Sequence, residues 1–408
     1  MRVYDPIMGP MQGISVVELG FWIAGPACSG ILADWGAEVV KVEPLTGDPF
    51  RGMTAFWEMV TGHAANPPFE VDNRGKRSIA LDYGTGEGRA VLLDLIGRAD
   101  VFVTNLRPGA LRRAGLDHET LTERFPRLVY ASITGMGLEG DEADRPAYDV
   151  GMFWARSGVA AALTPEGQNL PYQRGGMGDH MAGLAGAAGV SAALFERERT
   201  GRGQVIATSL MRIGAYMTSW DLNLALRFGV PTVGISRSAP PNPLISYYRC
   251  ADGRQVWLLG LEGDRHWPVI MRALGRDDLL DDPRFADTFG RAQNSAALVA
   301  EMDAAIGARG FDHWADRFDE CGVWWAPVQS VHELVSDPQA RAAGCFVPVP
   351  TGDGGVREMP ASPVTFLEQP LEPASPPPEF GQHTEEVLLD LGYDWDRIIE
   401  LKDLGAIN

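Results

Sequence analysis

The feature that most constrains the fold is an alternation that fills the first half of the chain. Short apolar runs at 14–19, 37–43, 78–81, 100–103, 128–133 and 204–209 are separated by stretches with helical spacing. Pro26 is placed to open a helix after the first run, because a proline in the first turn sacrifices no hydrogen bond. Val91, Leu92, Leu95 and Ile96 give 86–97 one apolar face. Strand–helix repetition of this kind predicts an α/β fold, a mostly parallel sheet covered by helices on both faces. A further helix over 180–199 is so rich in Ala and Gly that it must lie close against other backbone, and 210–226 reads as another.

The 408 residues exceed what one simple core organises. Composition shifts at 227–244, where RFGVPTVGISRSAPPNP reads as a linker. Beyond it, 245–334 reads as a smaller α+β domain. Ala251-Asp252-Gly253-Arg254 is a hairpin signal between 246–249 and 255–258, and helices are expected near 267–274, 296–306 and 311–320. A Pro-rich connector at 370–378 leads to a last helix, with Thr384 before Glu385 and Glu386 reading as its N-cap. The large domain is then 1–226 together with 335–408.

A net charge of −19 argues against a nucleic-acid binder. No run is long and apolar enough for a membrane span, and the N-terminus has no signal-peptide pattern. Cys28, Cys250, Cys321 and Cys345 are scattered without metal-ligand spacing, which points to a reduced, cytoplasmic protein with no metal site. Against this acidic background Arg74, Lys76 and Arg77, then Arg107, Arg112 and Arg113, form a basic cluster suited to a small anionic ligand. A nicotinamide dinucleotide does not fit. Gly20, Gly25 and Gly30 are spaced G-x4-G-x4-G rather than G-x-G-x-x-G, although Glu43 ends the second strand as a ribose-binding acid would.

The stretch GGMGDHMAG at 175–183 places Asp179 among four glycines at the start of a helix. One reading is a capped helix after a tight turn. The other is a reactive carboxylate, kept anionic by the helix dipole, with glycines leaving room for a large partner and aiming amides at an oxyanion.

Several segments together resemble the class III CoA-transferase family, which includes formyl-CoA:oxalate and carnitine CoA-transferases and α-methylacyl-CoA racemases. They are Ala24-Gly25-Pro26, Leu32–Glu43, Asn73–Ile79, Asn105-Leu106-Arg107-Pro108-Gly109, Ser132–Gly137, Gly178-Asp179, Thr200–Gln204 and Gly381–Thr384, in the family's order over nearly the whole chain. The resemblance implies a Rossmann-like large domain holding both chain ends, a small inserted domain and an interlocked homodimer. It implies an enzyme without a prosthetic group, acting on an acyl-CoA and a small carboxylic acid. Asp179 would be the nucleophile. Phe21, Trp22, Ile23, Ala24, Lys76, Asn105, Leu106, Arg107, Ala110 and Arg113 would bind CoA, and Tyr148 and Gly178 the substrate.

Racemases of the family use a His in a Gly-His-Asp segment, where this chain has Ala147-Tyr148-Asp149. Tyrosine is a poor proton shuttle at neutral pH, so racemisation is the alternative rather than the first reading. The formyl-CoA branch carries a polar His-Val-Gln run and a glycine-rich flap; here stand Phe21-Trp22-Ile23 and the stiff stretch 236–243. Those departures hint at a bulkier, less polar acyl group.

Overall fold

The computed structural model of the chain describes residues 9–231, 233–352, 354–368 and 375–408. Two units are compact by themselves. The first comprises the chain up to Val159, Tyr172–Asn223 and Arg341–Asn408; the second comprises Ala160–Pro171 and Leu224–Ala340.

The first unit is built on a six-stranded sheet of β1 (Ser15–Leu19), β2 (Glu38–Glu43), β3 (Arg77–Ala80), β4 (Val101–Thr104), β5 (Val129–Thr134) and β6 (Val205–Ser209). All neighbours are parallel, in the order β3-β2-β1-β4-β5-β6. The winding therefore reverses between β1 and β4, and the crevice beyond the carboxyl ends of those two strands is where such sheets bind ligands.

Side chains alternate across the sheet as the pleat requires. Val17, Leu19, Val40, Val42 and Phe102 pack in one core layer with the helices Gly86–Arg98, Thr384–Asp390 and Trp395–Asp403. Val16, Val39, Val101, Val103 and Ile133 pack in the other with the helices Ala24–Asp34 and Met177–Thr200. These last two helices touch backbone to backbone. A Cβ added to Gly183 would stand 2.7 Å from the Ala27 Cβ and 2.9 Å from the Cys28 nitrogen. The small residues of the long helix thus serve helix packing, and Cys28, sealed at this contact, has its thiol pushed up to about 12 by burial.

An antiparallel pair, β10 (Phe346–Pro350) and β11 (Val356–Pro360), was not legible in the sequence. The expected N-cap is also corrected. The helix Thr384–Asp390 starts after His383, and Thr384 Oγ1 instead accepts from the Ala80 amide and donates to the Gly381 carbonyl, tying this segment to β3. The proposed connector lies partly outside the described residues, at 370–374.

In the second unit, β7 (Tyr247–Arg249), β8 (Gln255–Leu258) and β9 (Trp325–Pro327) form an antiparallel sheet over a core that includes Tyr248, Ile270, Phe285, Met302 and Phe318. The segment read as a linker is part of this unit: Arg237 pairs with Asp303, Ser295 donates to the Pro240 carbonyl at 2.6 Å, and Leu244 is in the core. The expected helix 210–226 is two, Leu210–Met217 and Ser219–Phe228, parted at Thr218.

Candidate active site

The chain leaving β1 turns sharply into the first helix through Phe21, Trp22 and Ile23. Trp22 has φ +63°, the left-handed region, where no other described non-glycine residue lies. This costs an L-residue about 1–2 kcal/mol. Flanking hydrogen bonds hold the turn. The Phe21 amide donates to Asn105 Oδ1 at 2.9 Å, Asn105 Nδ2 donates to the Phe21 carbonyl at 2.7 Å, and the Trp22 amide donates to Asp48 Oδ1 at 3.2 Å. Asn105 follows β4, so the two strands at the winding reversal are bridged directly beyond their ends.

Beneath the turn lies a buried ionic network. Glu18 Oε1 accepts from Lys41 Nζ at 2.8 Å and Glu18 Oε2 from Lys76 Nζ at 2.7 Å. Lys41 Nζ is also 2.9 Å from Asp48 Oδ2, an ion pair rather than a directed hydrogen bond. Glu43 is bidentate with Arg51 and accepts from Ser78 at 2.6 Å. Burial opposes ionisation of Glu18, but Lys41 and Lys76 outweigh it and hold its carboxyl down at about 2. Glu18, Glu43 and Asp48 thus face Lys41, Lys76 and Arg51, and the charges balance.

Lys76 is therefore corrected as a phosphate ligand. Its ammonium is fully buried, spends its remaining protons on the Pro26 carbonyl and Asn73, and is pulled below the ordinary lysine range by burial and by Lys41. The rest of the first basic cluster is also occupied: Arg74 is bidentate with Asp34, and Arg77 bonds Glu386 and Asp390. Arg107, Arg112 and Arg113, after β4, are exposed and form no ion pair among the described residues. Glu43 likewise holds structure and no ribose.

The long helix begins at Met177, with Gly176 as its N-cap at φ +82°. Asp179 lies in the first turn and makes no capping hydrogen bond, which removes the reading of Asp179 as a cap. Gly178 is buried against Asp149. Its amide donates to both Asp149 oxygens at 3.2 Å, and a Cβ there would fall 2.3 Å from the Phe153 ring and 2.4 Å from Asp149 Oδ1. The glycine is thus required by its neighbours, and its amide is not free to face an oxyanion, contrary to the expectation for Gly178.

The charge balance differs here. Asp149 also accepts from Gln173 Nε2 at 2.9 Å, and buried Asp72 pairs with half-exposed His180 at 3.1 Å. Burial, the Asp149 charge and, more weakly, Asp72 push Asp179 up to about 7, against the pull of His180. The hydrogen bond to Asp72 raises His180 to about 9, and burial raises Asp149. The helix dipole does not make Asp179 an ordinary surface carboxylate; its surroundings make it a basic one.

Asp179 opens into a cleft of 410 Å³ at the winding reversal. Phe21, Trp22, Ala24, Asn105, Leu106, Arg107, Ala110 and Tyr148 share its walls, and Asp179 is the one acid among them. Ile23, Lys76, Arg113 and Gly178 do not line it. The indole of Trp22 meets Phe50 and Tyr148, each at 5.6 Å between centroids. The structure adds Thr134, Gly135, Pro146 and Ala147, which sequence reasoning left out of the site. The signal was there: Thr134-Gly135 ends the fifth apolar run, where a doubly wound sheet presents its ligands. Asp149 and Asp72 had no such signal, because only folding brings them to Asp179.

The sequence profile of CoA-transferase family III matches residues 11–384, and the chain belongs to that family. It is an enzyme, a CoA-transferase. The chain is 32% identical over 97% of its length to the (R)-2-hydroxy-4-methylpentanoate CoA-transferase of Clostridioides difficile, covering 99% of that protein. It is 33% identical over 96% of its length to the cinnamoyl-CoA:phenyllactate CoA-transferase of Clostridium sporogenes, covering 95% of it. A crystal structure of a CAIB/BAIF family protein from Brucella suis superposes with a TM-score of 0.81 at 30% identity, over 94% of this chain and 100% of that one.

Proposed function

We propose that this enzyme moves CoA from an acyl-CoA to a carboxylic acid through covalent intermediates on Asp179. The observation that carries the reading is that Asp179 is the single carboxylate lining the cleft, with its basicity raised by burial and by the neighbouring Asp149. A carboxylate of raised basicity is, once ionised, a stronger nucleophile than a surface aspartate. An Asp179 oxygen attacks the thioester carbonyl, the C–S bond breaks, and CoA leaves as thiolate from a mixed anhydride. The thiolate attacks the Asp179 carbonyl, giving aspartyl-CoA thioester and the donor's free carboxylate. The acceptor carboxylate attacks that thioester, forming a new anhydride and freeing the thiolate again. The thiolate then takes the acceptor's acyl group, and Asp179 is regenerated. No external co-reactant is consumed.

Arg107, with Arg112 and Arg113 nearby in sequence, supplies charge for the CoA phosphates; Phe21, Ala24, Leu106, Ala110 and the Trp22 backbone flank the pantetheine arm, and the Trp22 indole faces the acyl end beside Tyr148. The acceptor is a 2-hydroxy acid with an apolar branch. That class is named for two relatives and suits the aromatic walls of this cleft. The enzyme works as an interlocked homodimer in the cytoplasm. Racemisation is disfavoured because Tyr148 stands where a second proton carrier is needed, and His180 is engaged by Asp72.

Intact-protein mass spectrometry after incubation with a panel of acyl-CoAs tests this. A hydroxylamine-labile adduct mapped to Asp179 is expected. Its absence with every donor, together with α-proton exchange into deuterated solvent without an acceptor acid, would establish the racemase instead.

A further inference from the structure

A left-handed tryptophan is an unusual thing to keep. Glycine holds such a conformation without strain, and the chain uses glycine at its other described positive-φ positions. At Trp22 it retains the bulkiest side chain instead, so the indole itself is what the position requires. The surroundings agree. The Trp22 amide is fixed by Asp48, whose side chain is buried. That same Asp48 oxygen also takes the Phe50 amide at 2.9 Å, while the Asp48 amide donates to Glu43 at 2.9 Å. The turn is therefore bolted to the balanced ionic network below it. Above it, the indole is packed on one side by Phe50 and meets the Tyr148 ring nearly edge-on, at 86°. Tyr148 is 60% exposed, and both rings border the cleft that holds Asp179. Next to the indole, Ile23 reaches the start of the long helix, its Cδ1 3.4 Å from where a Cβ on Gly176 would stand.

We infer that Trp22 is a specificity-determining residue: its indole, paired with Tyr148, forms an apolar clamp that selects acyl groups with an aryl or branched alkyl side chain, and Asp48 is its positioning residue. This deepens the proposed reaction and rests on it. An aryl or branched acyl group gains contact with a rigid aromatic wall that a two-carbon acyl group cannot reach, so selectivity appears as a ratio between donors. Substitutions that free the turn without disturbing Asp179 change that ratio.

The experiment compares kcat/KM for cinnamoyl-CoA and acetyl-CoA, with phenyllactate as acceptor, in the wild type, Trp22→Gly, Trp22→Phe and Asp48→Ala. Trp22→Gly relieves the backbone strain but loses the ring contacts, so its far-UV circular dichroism should be unchanged while the cinnamoyl-to-acetyl ratio drops at least tenfold. Trp22→Phe should retain most of the ratio, and Asp48→Ala should lose it in part. An unchanged ratio in Trp22→Gly, or an equal loss for both donors, overturns the inference. A wild type that forms no adduct on Asp179 would defeat the underlying reaction instead. An adduct with an unaltered donor ratio defeats only the clamp.

Discussion

Two acidic clusters lie in the first unit, and they are opposites. Under the Phe21–Trp22 turn, Glu18, Glu43 and Asp48 are matched by Lys41, Lys76 and Arg51. At the start of the long helix, Asp179, Asp149 and Asp72 gather around one cation, His180, which Asp72 occupies. Burial raises both Glu18 and Asp179, yet Glu18 is driven down to about 2 and Asp179 up to about 7. What separates the two carboxyls is compensation, since only Glu18 has cations enough to reverse the effect of burial. The balanced cluster fixes geometry, and the unbalanced one stores basicity.

The largest effect should come from removing the unbalanced acid's chemistry. Asp179→Asn should lose transfer activity by more than about 1000-fold while its circular dichroism is unchanged, since no other carboxylate lines the cleft. Residual transfer within tenfold of the wild type would place the nucleophile elsewhere.

Breaking the balanced cluster should act on stability. Lys76→Met leaves half of Glu18 unpaired in the interior and should destabilise by about 3–5 kcal/mol in urea unfolding. A phosphate-binding Lys76 would instead raise KM for the acyl-CoA at unchanged stability.

The same Asn substitution at position 179 should have an effect of comparable size and opposite sign on folding. An acid whose folded pKa is raised from 3.8 to about 7 makes the native state bind the extra proton. The wild type therefore loses stability as pH rises through that window. Asp179→Asn, which cannot ionise, should be more stable by up to about 4 kcal/mol at pH 8, with the difference gone below about pH 4. Thermal melts at pH 8 and pH 4 check this.

The smallest change concerns the source of the basicity. Wild-type kcat/KM should rise with pH through an apparent pKa near 7. Asp149→Asn removes a neighbouring negative charge and should move that limb down by about one pH unit. An unmoved limb would mean that burial and Asp72, not Asp149, set it.

Legibility followed sequence distance. The sheet was readable because each strand announces itself locally, as in Val39-Val40-Lys41-Val42, and the cleft lies where its winding reverses, between β1 and β4. Asp179 stood out because glycines surround it. Those glycines were misread, however: Gly178 and Gly183 make room for Asp149 and for the first helix, not for a substrate. Lys76 was misread for the same reason. Its partner Glu18 is 58 positions away, and a basic run in sequence does not show which of its members face inward. The second-unit strand β9 is only three residues long, and the pair β10–β11 is interrupted by proline, so neither declares itself.

The contact between Gly183 and the Ala27–Cys28 backbone has a practical consequence. A helix locked at that separation cannot slide or roll to widen the chamber beside Asp179. Laboratory evolution toward larger acyl groups should therefore gain little from libraries on the helix itself. It should find its adaptable ground at exposed Pro146 rather than at buried Thr134 or at Gly135, where an added Cβ would stand 2.2 Å from the Ala147 Cβ.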